Sequence, residues 1–119
     1  MRMFALFLLL SSGSVLALQV TGAVYNQQAD QLEIQVQYMG GCFEHRFEMH
    51  LVNCALSRTE NIGIVNVCDG AIVDVSAKED KCQAVMRRQL NVSLQSLSDD
   101  VRPVLMGFES GVVLVHKKG

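Results

Sequence analysis

Three kinds of residue in this chain could do chemistry: four cysteines, three histidines and a set of methionines. His45 stands out, because it sits between Phe43 and Phe47 in an alternating run and would share their apolar face. A histidine there could be a metal ligand or a general base. It could equally be a buried neutral ring whose N–H bonds a backbone carbonyl. The second reading is preferred, since no other His, Cys thiolate or carboxylate is spaced to complete a metal site around it. His50 falls on the opposite face with Glu44, Arg46 and Glu48, and two histidines on opposite faces of a strand cannot share an ion. His116, beside Lys117 and Lys118, reads as a surface residue. Met39, Met49, Met86 and Met106 could, with an imidazole, suit copper(I). Core filling explains the same methionines more simply.

Catalytic patterns are missing. Gly-x-Ser-x-Gly does not occur. The paired carboxylates Glu79-Asp80 and Asp99-Asp100 fall in charged stretches and read as solvated loops. Gly40-Gly41 is not followed by the Lys-Ser/Thr and helix of a phosphate loop. Asn91-Val92-Ser93 is an N-glycosylation sequon, relevant only to secretion through an endoplasmic reticulum. No enzyme activity and no cofactor are expected.

The cysteines, Cys42, Cys54, Cys68 and Cys82, lack a Cys-x-x-Cys pair and any zinc-ribbon spacing. An even count in a small exported chain reads as two disulfides. Four cysteines allow three pairings. A nested arrangement, Cys54–Cys68 inside Cys42–Cys82, is favoured because Cys54 and Cys68 each end a strand pattern. The sequential pairing 42–54 and 68–82 is the alternative.

Export is read from the N-terminus. Met1-Arg2-Met3, the apolar run Phe4 to Leu10, Ser11-Ser12-Gly13-Ser14 and Val15-Leu16-Ala17 follow the order of a secretory signal peptide. Cleavage is placed between Ala17 and Leu18, giving a signal peptide of residues 1–17 and one β-domain of residues 18–119. The apolar run is too short to span a bilayer, so no stable membrane anchor is expected after cleavage. The whole chain carries 10 basic and 12 acidic residues; losing Arg2 leaves nine against twelve, a charge of −3. That balance offers no attraction to nucleic acid or anionic lipid. A length of 119 residues, half of them hydrophobic, excludes a multidomain enzyme and a disordered chain.

The elements that must position these residues show a period of two. Strands are expected over Gln19–Tyr25, over Leu32–Tyr38, and over Phe43–Leu51, the clearest amphipathic stretch. Ser57–Asn61 reads as a loop, Ile62–Val67 as a strand, Asp69-Gly70 as a turn and Ala71–Val75 as a short strand. Ala77–Lys81 reads as a charged loop. Met86, Leu90, Val92 and Leu94 continue an apolar face that Arg88 interrupts, which suggests a bulge, an edge position or a helical turn. Val104–Phe108 and Val112–His116 flank Glu109-Ser110-Gly111 as a terminal hairpin. Pro103 stands at a strand start, where its missing N–H does least harm. Seven or eight short strands predict an all-β domain, a small antiparallel sandwich or a partly open barrel.

The segment Tyr38-Met39-Gly40-Gly41-Cys42-Phe43-Glu44-His45-Arg46-Phe47 resembles a Tyr-x-Gly-Gly-Cys-x-x-His-x-Phe pattern of small exported bacterial proteins. It is similar to a signature in the C-terminal β-domain of NigD-like proteins. Asp80-Lys81-Cys82-Gln83-Ala84 resembles the second half of that pattern. The resemblance, over about residues 31–97, implies a secreted all-β domain of unknown activity with Cys42 and Cys82 paired or close. Ser57-Arg58-Thr59-Glu60-Asn61 departs from the Pro-containing segment of that group, so the resemblance does not place Cys54 and Cys68. Two glycines before Cys42 also allow a tight bend with positive φ. The expected role is a non-enzymatic binding or structural domain of the cell envelope or periplasm, with another envelope protein as partner. The alternative is a carrier of copper, zinc or a small ligand at His45.

Overall fold

The computed structural model describes residues 18–116. The expected signal peptide and Lys117–Gly119 lie outside the described residues. The chain is all-β: β1 (Gln19–Asn26), β2 (Gln31–Gly40), β3 (Phe47–Thr59), β4 (Gly63–Asp74), β5 (Ala84–Ser93), β6 (Val104–Phe108) and β7 (Gly111–Val115). They form a three-stranded sheet of order β1-β2-β5 and a four-stranded sheet of order β3-β4-β6-β7. The arrangement is sandwich-like and no barrel closes among the described residues. No described helix is long and apolar enough to cross a membrane.

The alternation in β2 explains the core. Leu32, Ile34, Val36 and Tyr38 are buried, and they pack in one cluster with Cys68, Val104, Met106, Val113 and Val115 of the other sheet. Successive side chains of a strand point to opposite faces, so one apolar residue in two is enough to cover the facing sheet. Arg88 lies on the inner side of β5, an edge strand, as one of the expected explanations for that interruption required.

Four local expectations change. The β4–β6 pair is parallel, whereas an antiparallel sandwich was expected. The chain leaves β4, runs through β5 in the opposite sheet and returns alongside β4, and such an excursion is the crossover that a parallel pair requires. Ser57 to Thr59 belong to β3 rather than to a loop, and the turn is confined to Glu60–Ile62. Their polarity does not oppose a strand, because this end of the hairpin is exposed to solvent on most positions. Asp69 and Gly70 pair with Val52 and Leu51 inside a continuous β4. Gly70 is there for space: a Cβ would lie 2.3 Å from Cε1 of Phe108. Finally, β3 starts at Phe47, and Phe43–Arg46 is an irregular segment fixed by Val75 N–H donating to the Arg46 carbonyl at 2.8 Å.

Both disulfides follow the nested pairing, Cys42–Cys82 and Cys54–Cys68. Cys54–Cys68 ties β3 to β4 beside a register shift at Asn53, which has φ of 55° and donates from Nδ2 to Asp69 Oδ2 at 3.0 Å.

A second anchor was not legible in the sequence. The Arg102 side chain is wholly buried and forms a forked pair with Asp30, Nη1 to Oδ1 at 2.7 Å and Nη2 to Oδ2 at 3.0 Å. It also donates to the carbonyls of Leu94, Leu97 and His116. Tyr25 donates its hydroxyl to Asp30 Oδ1 at 2.7 Å. One guanidinium therefore joins the β1–β2 turn, the loop before β6 and the end of β7. Its five donors in a rigid fork suit that task, where a lysine would not.

Candidate functional site

The site is built where β2 ends. Gly40 and Gly41 serve it in different ways. Gly41 has φ of +117°, a conformation that L side chains rarely adopt. Gly40 makes room: a Cβ would sit 2.8 Å from Asp80 Oδ2 and 2.9 Å from His45 Nε2. The bend puts Cys42 opposite Cys82, and the loop between β4 and β5 then lies against the irregular segment Phe43–Arg46.

His45 is buried at 6% exposure, as its place between Phe43 and Phe47 predicts. Its partners correct the expectation of a backbone carbonyl. Nδ1 lies 2.6 Å from Asp74 Oδ2 and Nε2 lies 2.6 Å from Asp80 Oδ2. Asp80, expected as a solvated loop residue, is only 2% exposed. The carboxylate of Asp80 also accepts the backbone N–H groups of Gly41, Cys42 and Cys82. Asp74 accepts the N–H of Ser76 at 2.9 Å.

This geometry sets the charge. Both ring nitrogens face carboxylate oxygens, so both are best satisfied as N–H donors, which is the imidazolium form. Hydrogen bonding to Asp80, then to Asp74, raises the His45 pKa above its ordinary value, against the opposing effect of burial. The His45 hydrogen bond is the main reason Asp80 is held below the usual carboxylate range, with the N–H groups of Cys82 and Cys42 adding to it. For Asp74, burial alone would raise the pKa, but hydrogen bonds from Ser76 and His45 outweigh it and the net direction is down. The result is a charged triad of one cation and two anions.

Aromatic rings wrap the cation. Phe43 stacks on His45 with centroids 4.8 Å apart and planes 12° apart, and Tyr38 approaches at 4.8 Å. A charged ring over aromatic faces gains cation–π attraction. Arg88 donates from Nη1 to the His45 carbonyl at 2.6 Å and lies over Phe47 at 5.3 Å. The arginine that interrupts the β5 pattern thus holds the segment bearing His45. Tyr38, Gly40, Gly41, Cys42, His45 and Phe47, six residues of one sequence motif, come together here.

Beside the triad is an open hollow of about 430 Å³ lined by Met39, Ser76, Lys78 and Glu79 as well as by the three charged residues. Of the other methionines, Met106 is fully buried while Met49 and Met86 pack against the core, so the four do not form one soft ligand set with His45. His50 is exposed and faces Glu48 at 3.3 Å. His116 is exposed, with its ring 6.4 Å from that of Tyr25. With both ring nitrogens facing carboxylates, His45 itself offers no free lone pair to a metal or to a proton.

The sequence reading missed Asp74 and Asp80 as partners of His45. A signal for Asp80 existed. Asp80-Lys81-Cys82 places a carboxylate two residues before a cysteine N–H, the spacing of an Asx turn. Asp74 has no such local mark, because it reaches His45 only through the fold.

Comparison with family models, with curated proteins and with solved structures finds no match to this chain.

Proposed function

We propose that this chain is an exported, disulfide-stapled β-domain that performs no catalysis and binds another protein of its envelope or extracellular compartment. The contact is assigned to the β3–β4 hairpin. One observation carries the reading: apolar side chains left in solvent gather on that hairpin. Leu56 is 71% exposed and Ile64 is 58% exposed, with Val52 and Val67 in the ladder and Ile62 in the turn also exposed. Leu56 opposes Asn66, and Ile64 opposes Arg58, so the two largest are diagonal neighbours on one face. β3 is an edge strand, with a row of backbone groups available for pairing. Clustered exposed apolar residues mark interaction surfaces more often than scattered ones.

The rest of the molecule supports a binding role over a chemical one. His45 is committed to two carboxylates, and a disulfide stiffens the hairpin midway along its length. Both disulfides suit an oxidising compartment, in keeping with the signal-peptide pattern and with the resemblance to exported β-domains. A photo-crosslinking residue at Leu56, introduced in the native host, tests this. A discrete protein adduct is expected at position 56 and none at the exposed turn residue Ser110. Absence of a discrete adduct at 56, or turnover of a substrate that is lost on changing one polar residue, would overturn it.

The hollow beside His45 favours a second reading, a carrier of a small ligand or of copper or zinc. Zinc or copper(I) should then raise the melting temperature of the oxidised protein, and His45→Ala should remove the effect. The first reading expects no such shift, because the metal would have to displace a carboxylate from each ring nitrogen it used.

A further inference from the structure

The triad does more than hold a histidine: it fixes the ends of a disulfide. Asp80 takes the N–H groups of both Cys42 and Cys82, so hydrogen bonds hold the two cysteine backbones together independently of the bond between their sulfurs. A ligand oxygen of Asp80 and the two sulfurs all lie within 4.8 Å of one another. In a tetrahedral zinc site with S and O ligands at about 2.0–2.3 Å, neighbouring ligand atoms are roughly 3.5–3.8 Å apart. After reduction, rotation about the Cα–Cβ bonds lets the sulfurs part from bonding distance and the carboxylate oxygen close on them.

We infer that the reduced Cys42–Cys82 pair, together with Asp80, is a zinc site that the disulfide keeps closed. A dithiol reductant opens it. One thiolate of the reductant attacks a sulfur of the bridge, its second thiol completes the exchange, and the reductant leaves as a cyclic disulfide. Two electrons and two protons pass to Cys42 and Cys82. Zinc binding then releases both thiol protons to solvent and joins two thiolates and one carboxylate oxygen, a net charge of −1, with a solvent molecule in the fourth position.

The surroundings favour this chemistry. Cys42 is exposed, which gives a reductant and an ion access. His45 is hydrogen-bonded to Oδ2 of Asp80, so the metal is assigned to Oδ1, which would exchange the long 3.4 Å bond from the Cys42 N–H for it and keep the Cys82 N–H at 3.0 Å. A ligand carboxylate held by a second hydrogen-bonding group is oriented as metal ligands commonly are. The site differs from the carrier reading above, which places metal on His45 in the oxidised protein.

The test uses zinc alone as the probe, a phosphine as reductant and a chromophoric chelator as competitor. A Cys54→Ser/Cys68→Ser variant isolates the outer pair. The reduced variant should take up one equivalent of zinc and the oxidised variant less than a tenth of that. Cys42→Ser should abolish uptake, and Asp80→Asn should weaken it at least tenfold. If the variant does not fold, the wild-type protein decides. After reduction, zinc should protect Cys42 and Cys82 from alkylation more than Cys54 and Cys68, read by peptide mass spectrometry. Equal uptake by the reduced and oxidised forms, uptake unaffected by Cys42→Ser or Asp80→Asn, or equal protection of all four cysteines would overturn the inference.

Discussion

Replacing Arg102 by Met keeps most of its length and its apolar stem and removes its five donors. In the native protein those donors serve both oxygens of Asp30 and the carbonyls of Leu94, Leu97 and His116. The side chain is fully buried, so little water can replace the lost bonds. Removing one partner of a buried ion pair costs about 3–5 kcal/mol, most of it from stranding the remaining charge. Asp30 keeps the Tyr25 hydroxyl and Leu94 keeps the N–H of Leu97, so the lower half of that range is expected. A domain of this size is stable by about 5–15 kcal/mol, so the variant should fold but sit near its limit. Urea unfolding of the disulfide-intact protein, followed by far-UV circular dichroism, measures the loss. The melting temperature should fall by on the order of 15 °C. Arg102→Lys, which keeps the charge but not the fork, should fall between wild type and Arg102→Met. Adding Asp30→Asn to Arg102→Met should cost less than the two single changes added, because no charge is then stranded. A loss under about 1 kcal/mol for Arg102→Met would refute the reasoning, since it would place the stability of this junction outside the buried pair.

Stability should form a plateau in pH with two limbs. The raised pKa of His45 means its contribution is complete below the ordinary histidine value of about 6.5 and is lost as pH rises through the raised folded value. The lowered pKa values of Asp74 and Asp80 mean theirs is complete above about 3.9 and is lost as pH falls through the lowered folded values. Urea midpoints measured across pH should show both limbs, and His45→Gln should flatten the alkaline one. Removing Cys42–Cys82, with its separation of 40 residues, should cost about 4 kcal/mol, and removing Cys54–Cys68, with 14, about 3 kcal/mol, on the loop-entropy model. Paired Cys→Ala variants in urea check the order, and a larger loss for the inner bridge would contradict it. Gly70→Ala should cost about 1–3 kcal/mol by driving a methyl into Phe108. Adding Phe108→Leu should recover part of that loss, read as thermal midpoints.

What the sequence made legible was whatever repeats locally. The alternation of Leu32, Ile34, Val36 and Tyr38 marks a buried face whatever lies opposite. The nested cysteine pairing was reached from strand patterns read as ending at Cys54 and Cys68; the pairing holds, although β3 runs on to Thr59 and β4 to Asp74. His45 was placed in the interior by its aromatic neighbours even though its segment is not a strand. The failures share a cause, which is that a polar residue's fate depends on partners distant in the chain. Asp80 is 35 residues from His45, and Arg102 is 72 from Asp30. Each looks like a solvated loop charge until the fold supplies its counter-ion. Asp69-Gly70 failed differently: the pair is a strong turn signal, but the ring of Phe108 needs a glycine inside a strand.

The central claim is that His45 is a cation locked between two carboxylates and serves the fold rather than a ligand in the oxidised protein. Nitrogen-15 NMR of the imidazole ring at neutral pH tests it directly. The expected spectrum has both His45 nitrogens protonated, each N–H slow to exchange and unmoved by added zinc. A neutral ring with one unprotonated nitrogen, or a shift of that nitrogen on adding zinc, would contradict it.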